Sequence, residues 1–390
     1  MDYGFAHRLD GITGSAIREI FKLLQEPGII SFAGGNPSAD TFPKDELAHI
    51  ASRLTKQRPE TVLQYGITEG YAPLRETVAN MVSRRGVLAA PSDVITLTGS
   101  SQGIDLAARV FLNPQDRVLV EAPTFLGALQ TFRTYQAELI PVEMDDEGVL
   151  LEDLQQKMER YRPKFFYVIP TFQNPSGKTL SCTRRKRIAE LAKEYGVMVI
   201  EDDPYGDLRY EGEPCPYIKS YDDDGRVLLL VSFSKIISPG LRVGAAVGAP
   251  EVLRKMVICK QGADTHTPVL TQAMVDEYVR QGALYSHIDE VCAVYKQKRN
   301  AMLAHMPEVA HTYTRPEGGL FLWGTFAPGT DAQILLKEAI KKGVAFIPGA
   351  HFYTSEGYAH TFRLNFSNAS LQQIEEGMEI LKSVVKGQGA

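Results

Sequence analysis

The sequence predicts an α/β protein with a parallel sheet in a large domain, joined to a smaller α+β domain. Three observations carry this expectation. The chain has 390 residues, more than one small core accommodates, so two domains are expected. From about residue 90 to 250, short β-branched or apolar runs alternate with helical patterns, as strands and crossover helices do in a parallel sheet. After "ADTHTPV" (263 to 269) the order changes to a long helical stretch followed by mixed strands and helices.

Taken along the chain, the strand candidates of the large domain are "VITLT" (94 to 98), "RVLVE" (117 to 121), "ELIPV" (138 to 142) and "FFYVIP" (165 to 170). Three more follow: "VMVIED" (197 to 202), "RVLLLVSF" (226 to 233) and "VGAAVGA" (243 to 249). In "TRRKRIAELAKEYG" the apolar positions Ile188, Leu191, Ala192 and Tyr195 share one helical face, with Thr183 as N-cap and Gly196 as the stop. The basic run Arg184 to Arg187 reads as a solvated helix face, and "YDDDG" (221 to 225) as a polar loop. Beyond 263 to 269, helix to about residue 305 gives way to a strand "GLFLWGTF" (319 to 326) and a helix near 331 to 342. A strand "TFRLNFS" (361 to 367) and a final helix from about 371 complete the chain.

Composition narrows the function classes. Hydrophobic residues at 44% and charged residues at 23% suit a packed globular chain, and a net charge of -5 offers no broad basic field for nucleic acid or anionic lipid. No targeting segment is expected in "MDYGFAHRLD", and "VLLLV" (227 to 231) is far too short to span a bilayer. Cys182, Cys215, Cys259 and Cys292 are dispersed without metal-ligand spacing, so a reducing cytoplasm is the expected setting.

Ligands of open α/β sheets bind at the carboxyl ends of strands. "TGSSQGIDLAARVF" follows the first strand and opens into a helix, a geometry that presents free N–H groups and a positive dipole end to an anion. Alone, the same turn is explained by Ser100 or Ser101 capping the helix. Gly99 to Gly103 also match the G-x-S-x-G elbow of serine hydrolases, with Asp202 and one of His311, His351 or His360 downstream in the required order. That alternative leaves Lys235, Arg242 and Asn174 without a role. "GKT" at 177 to 179 is no Walker A motif, because Phe172 stands where glycine is needed. Phe125 in "EAPTFLGA" could cover a flat ring or pack a core. Asn174 in "TFQNPSG" could simply make a turn. The acids of "EDDPYGDL" could cap a turn, bind a metal or partner a cationic ring. In "SFSKIISPGLR" (232 to 242), Ser232, Ser234 and Arg242 are donors of the kind that hold a phosphate, with Lys235 set among them.

The ordered combination resembles the class I and II aminotransferases of fold type I, which use pyridoxal 5'-phosphate (PLP). It is most similar to the branch of 2-aminoadipate and kynurenine aminotransferases. "IISFAGGNP", "LQYGITEGYAPLRE", "EAPTF", "QNPSG", "EDDPYG", "SFSKIISPGLRVG" and "FRLNFS" carry the resemblance over nearly the whole chain. It implies a mostly parallel mixed sheet in a PLP-binding domain over 45 to 285, and a small domain from 1 to 44 and 286 to 390. It implies that Lys235 forms the Schiff base, Asp202 pairs with the pyridine nitrogen, and Tyr205 and Asn174 meet the ring's phenolic oxygen. Phe125, where many relatives have tyrosine, would stack on the ring. Ser100, Ser101, Ser232, Ser234 and Arg242 would hold the phosphate, with Tyr65 reaching it across a homodimer. Arg363 would grip the substrate carboxylate, Gly35 would lend a backbone contact, and Arg18 would meet a distal carboxylate. The implied activity moves an amino group from a 2-aminoadipate, aromatic or branched-chain L-amino acid to a 2-oxo acid such as 2-oxoglutarate. Other fold type I chemistry, such as a lyase, is the alternative. The aminotransferase-like half of some transcription regulators is a further one, but it would follow a DNA-binding domain, for which the pattern here leaves no room. Neither nucleic acid nor membrane is an expected partner.

Overall fold

A computed structural model describes residues 3–10 and 28–387. Each of the seven strand candidates before residue 250 is a strand, and together they form one sheet. They are β1 (Val94–Leu97), β2 (Arg117–Glu121), β3 (Glu138–Val142), β4 (Phe165–Val168), β5 (Met198–Asp203), β6 (Val227–Ser232) and β7 (Gly244–Val247). Their order across the sheet is β1-β7-β6-β5-β4-β2-β3. Neighbours from β6 to β3 pair in parallel, and β7 alone runs antiparallel to both β1 and β6.

Both sheet faces are covered, which is why these strands read as continuous apolar runs. The alternation is visible within each strand. Val118 and Val120, Phe165 and Tyr167, and Met198 and Ile200 join one core cluster, whereas Leu119, Phe166 and Val199 join the other. The second cluster is closed by helices α1 (Leu151–Tyr161) and α2 (Cys182–Tyr195), through Leu154, Met158, Ile188 and Leu191. A four-stranded antiparallel sheet follows. It contains β8 (Thr312–Tyr313), β9 (Phe321–Thr325), β10 (Ile347–Pro348) and β11 (Thr361–Asn365) in the order β8-β9-β11-β10. The long helical stretch is two helices, α3 (Val269–Arg280) and α4 (Ala283–Val309).

Three local expectations need correction. Helix α2 begins at Cys182 after Ser181, so Thr183 is inside its first turn and not its cap; Gly196 does end it, at φ 68°. The basic run beside it is not a solvated face. Arg185 is fully buried and donates to the carbonyls of Pro170, Leu180 and Pro216 and to the Thr171 hydroxyl, while Arg184 reaches Asp145. Helical periodicity does not reveal that a guanidinium's five donors can satisfy a loop's buried carbonyls. Lastly, Cys182 and Cys215 are disulfide-bonded, tying the start of α2 to the 211–217 loop, whereas Cys259 and Cys292 are free. Dispersal along the sequence gave no sign of this pairing.

The bridge closes a sequence separation of 33 residues. Loop-closure entropy gives such a link a ceiling of about 4 kcal/mol. Cys215→Ser, or reduction, is expected to lower the denaturant midpoint accordingly; coincident unfolding curves with and without reductant would show that the bond contributes nothing.

Candidate active site

The carboxyl ends of β1, β2, β4, β5 and β6 surround a cavity of about 380 Å³. Its lining includes Gly35, Ser100, Ser101, Phe125, Asn174, Asp202, Tyr205, Ser232, Ser234, Lys235, Arg242 and Arg363. Residues as far apart in sequence as Gly35 and Arg363 thus converge, because the sheet collects its strand ends on one edge. Two expected residues do not line it. Tyr65 stands on the surface, 83% exposed, and Arg18 falls outside the described residues.

At one end of the cavity, the turn after β1 differs from its simplest reading. The helix Ser100–Phe111 is preceded by Gly99 at φ 81°, so neither serine is the cap, and both serines line the cavity from the first turn. A Cβ at Gly99 would lie 2.5 Å from Arg242 Nη2, so glycine is required both by the backbone and by the arginine laid against it. Arg242, itself in the left-handed region at φ 54°, donates to the carbonyls of Thr98 and Pro239. Ser101 and Arg242 remain exposed, so this end opens to the surface. Free N–H groups, hydroxyls and a guanidinium at a helix start make an anion seat.

Opposite, the side chain of Asp202 is buried at the end of β5. Its Oδ2 accepts from the Tyr167 hydroxyl at 2.8 Å, while Oδ1 has no partner. Burial raises this carboxyl to about 7, against the lowering pull of Tyr167. A cation brought to Oδ1 would hold it ionised. Tyr167 was not singled out in the sequence, and its only signal was a hydroxyl in the otherwise apolar strand "FFYV". Glu121 was also missed. Its carboxylate accepts from Ile169 N and Gln173 Nε2, and Gln173 in turn accepts from Ser176, which braces the turn bearing Asn174. Burial raises Glu121 to about 8.

Lys235 projects from the segment after β6, and its Nζ donates to the Gly35 carbonyl at 2.8 Å. Burial, then the nearby Arg242 and Arg363 charges, lower its amine to about 8. Arg363, on β11, donates to Asn174 Oδ1 at 2.8 Å and to the Ala33 carbonyl at 2.5 Å, with its Nε left unpaired. Its guanidinium lies 4.4 Å from the Phe321 ring centroid, and burial lowers it to about 10. Asn174 Nδ2 also approaches the Tyr205 hydroxyl at 3.4 Å. Three cations and one carboxylate make the cavity a receptor for anions with one cationic group among them. A Cβ on Gly127 would touch the Phe125 ring at 2.5 Å, so glycine there lets the aromatic ring settle where it lines the cavity.

The hydrolase arrangement is absent among the described residues. Asp202 accepts its side-chain hydrogen bond from Tyr167 and not from a histidine, and no hydrogen bond joins Ser101 to His311, His351 or His360. No cluster of potential metal ligands and no helix long and apolar enough to cross a membrane occurs among the described residues.

Comparison with known proteins agrees with this geometry. Residues 27–381 match the model of the family "Aminotransferase class I and II". The chain is 41% identical to the aromatic-amino-acid aminotransferase 1 of Thermococcus litoralis, over 98% of this chain and 94% of that protein. It is also 41% identical to the 2-aminoadipate transaminase of Thermus thermophilus, over 96% and 95% respectively. The crystal structure of a Pyrococcus horikoshii kynurenine aminotransferase superposes with a TM-score of 0.94 at 42% identity, covering 99% of this chain and 97% of that one.

The depressed amine makes a prediction. Because only neutral Lys235 is nucleophilic and its pKa is pushed down to about 8, its reaction rate with added pyridoxal phosphate should rise with pH and level off just above 8. An unperturbed lysine would keep rising to about 10.4. Stopped-flow absorbance separates the two, and a rate still climbing at pH 10 contradicts the assigned environment.

Proposed function

This chain belongs to the class I and II aminotransferase family and is a PLP-dependent aminotransferase of fold type I; we propose that Lys235, Asp202 and Arg363 divide its catalytic work. The observation that carries this reading is the convergence in one cavity of the Lys235 amine, the unpaired Oδ1 of Asp202 and the unpaired Nε of Arg363.

The residues present suit the cofactor. The anion seat at 99 to 101 with Ser232, Ser234 and Arg242 matches a phosphate, Phe125 a flat ring, and the orphaned Asp202 Oδ1 a protonated ring nitrogen. Tyr205 and Asn174 are placed to donate to a phenolic oxygen. Pyridoxal phosphate, when bound, supplies an aldehyde that exchanges amines and a ring that accepts the electron pair left at Cα. Asp202 would hold the ring nitrogen protonated through a charge-assisted hydrogen bond of roughly 1.5 to 3 kcal/mol. Tyr167 occupies Oδ2, so Oδ1 is the oxygen left without a partner. Lys235 would anchor the cofactor aldehyde covalently and, as a free amine, would take the Cα proton; burial, which lowers that free amine to about 8, favours its neutral, basic form. Arg363 offers a planar fork to the α-carboxylate, already aimed by Asn174 and Ala33. Gly35, whose carbonyl accepts from Lys235 while that amine is free, would lend a backbone contact beside the substrate carboxylate.

The donor is a large amino acid of 2-aminoadipate, aromatic or branched-chain type, and the acceptor 2-oxoglutarate. The names of the relatives support the first two classes, and Leu126 and Phe352 in the cavity lining supply apolar surface for a bulky side chain. Arg18 would meet a distal carboxylate. The working unit is a homodimer in the cytoplasm, where the Cys182–Cys215 bond would meet reducing thiols. Leu63, Tyr65 and Ile67 form an exposed apolar loop, 66%, 83% and 59% accessible, and the anion seat opens outward, as expected if Tyr65 of a second copy closes it. The large domain spans 45 to 285 and the small one 1 to 44 with 286 to 390. The boundary at 285/286 falls in the first turn of α4, so that helix joins the two.

Two substitutions test the division of work. Lys235→Ala should abolish transamination while PLP stays bound through its phosphate and ring, read from cofactor retained after gel filtration; an active variant refutes the anchor. Arg363→Lys loses bidentate pairing and should raise KM about 10- to 100-fold with a smaller change in kcat, since charge-assisted hydrogen bonds are worth about 1.5 to 3 kcal/mol. An unchanged KM for every amino acid tried would place the carboxylate elsewhere.

A further inference from the structure

Lys260 is fully buried, 0% exposed, at the end of the helix Pro250–Gln261 and outside the cavity lining. We propose that it is a positioning residue that fixes the phosphate-binding turn and the Tyr65 loop relative to one another. The inference rests on the reading of residues 99 to 101 as the phosphate seat.

Its ammonium donates to Gln102 Oε1 at 2.7 Å, to both oxygens of Asp264 at 2.9 and 3.0 Å, and to Thr267 Oγ1 at 3.1 Å. Every partner also holds something else. Gln102 Oε1 accepts from Thr98 N at 2.9 Å, and Asp264 Oδ2 accepts from Thr98 Oγ1 at 2.8 Å and from Gln102 Nε2 at 2.7 Å. Thr98 is therefore gripped at its amide and hydroxyl from the Lys260 side, and at its carbonyl by Arg242 from the cavity side. The turn Gly99 to Ser101 runs between Thr98 and Gln102, both of which this cluster holds.

The same cluster reaches the other way. The Thr267 carbonyl accepts from Gln272 Nε2 at 2.6 Å, and Gln272 Oε1 accepts from Tyr71 N at 2.8 Å. His266 accepts from Gly66 N at 3.3 Å through Nε2, which places its proton on Nδ1, where it is donated to the Thr267 carbonyl at 2.9 Å. The His266 ring meets the Tyr65 ring edge-on, with centroids 5.8 Å apart. A single ammonium thus organises two segments, one ending at the anion seat and the other at Tyr65.

Stability alone does not explain such a residue. Burying an ion pair gains little over an apolar pair of the same volume, so a methionine at 260 facing an apolar residue at 264 would fill this site without the desolvation cost. What methionine lacks is three directional donors, and these donors set the geometry.

The test compares wild-type holoenzyme with Lys260→Met. Cofactor affinity is read from visible absorbance on serial dilution, and amide hydrogen exchange is followed over residues 63 to 71. The variant should bind PLP about tenfold or more weakly, as expected when a fixed donor set loses its support, and should exchange faster at 63 to 71, with borohydride still attaching the cofactor to Lys235. PLP affinity within twofold of wild type, with only a lower melting temperature, overturns the proposal and leaves Lys260 a packing residue. If wild type itself fails to bind PLP, the reading of the seat falls instead. Should Lys260→Met not fold, Thr98→Val, which removes one hydroxyl from the cluster, must weaken PLP measurably; unchanged affinity there overturns the proposal as well.

Discussion

An amine buried near two guanidinium groups is the constraint on which the site depends. Lys235 could keep its full charge only by adding a third cation to a poorly hydrated space, so it gives up a proton more readily than a surface lysine does. The Gly35 carbonyl orients it without neutralising Arg242 or Arg363, which remain free to take anions. A site of this kind is incomplete by itself. It gains most from a cofactor with a phosphate, an aldehyde carbon and a protonated ring nitrogen, together with a substrate carboxylate; of the groups that would face them, Asp202 Oδ1 and Arg363 Nε lack a partner.

The scaffold makes that arrangement affordable in strain and burial. Six strands point the same way, so their ends present helix starts and loop amides on one edge, where polar groups can be exposed without cutting the core. Asp202 and Asp203 show how sharply the edge divides roles. Asp203 is paired with Arg85 at 2.7 Å and accepts from Gly206 N, bracing the loop, while its neighbour keeps one oxygen unpaired. Arg85 lies over the Tyr217 ring and donates to the Cys215 carbonyl, which links this brace to the disulfide loop. The second sheet contributes Arg363 from β11, whose position between Asn174 and Ala33 ties the far ends of the chain to the first sheet.

Much of this was legible in the sequence. The strands were, because burial on both faces writes apolar runs that punctuation by glycine and polar turns delimits. So was the lysine with its flanking serines and later arginine, since few other needs put those types in that order. Other features left no readable trace. Arg185 and Lys260 look like solvated charges because their partners are loop carbonyls and a distant turn, which only folding assembles. Ser100 looked like a cap until the backbone put Gly99 there, and the Cys182–Cys215 pairing depends on how the 211–217 loop returns to α2. Tyr167 was hidden by its own strand, since a buried tyrosine is usually core and nothing local marks the carboxylate it meets.

The measurement closest to the central claim is chemical. Borohydride reduction of the resting holoenzyme, followed by proteolysis and mass spectrometry, should place a single pyridoxyl group on the peptide containing Lys235. Finding that mass on another lysine, or on none, would contradict the account.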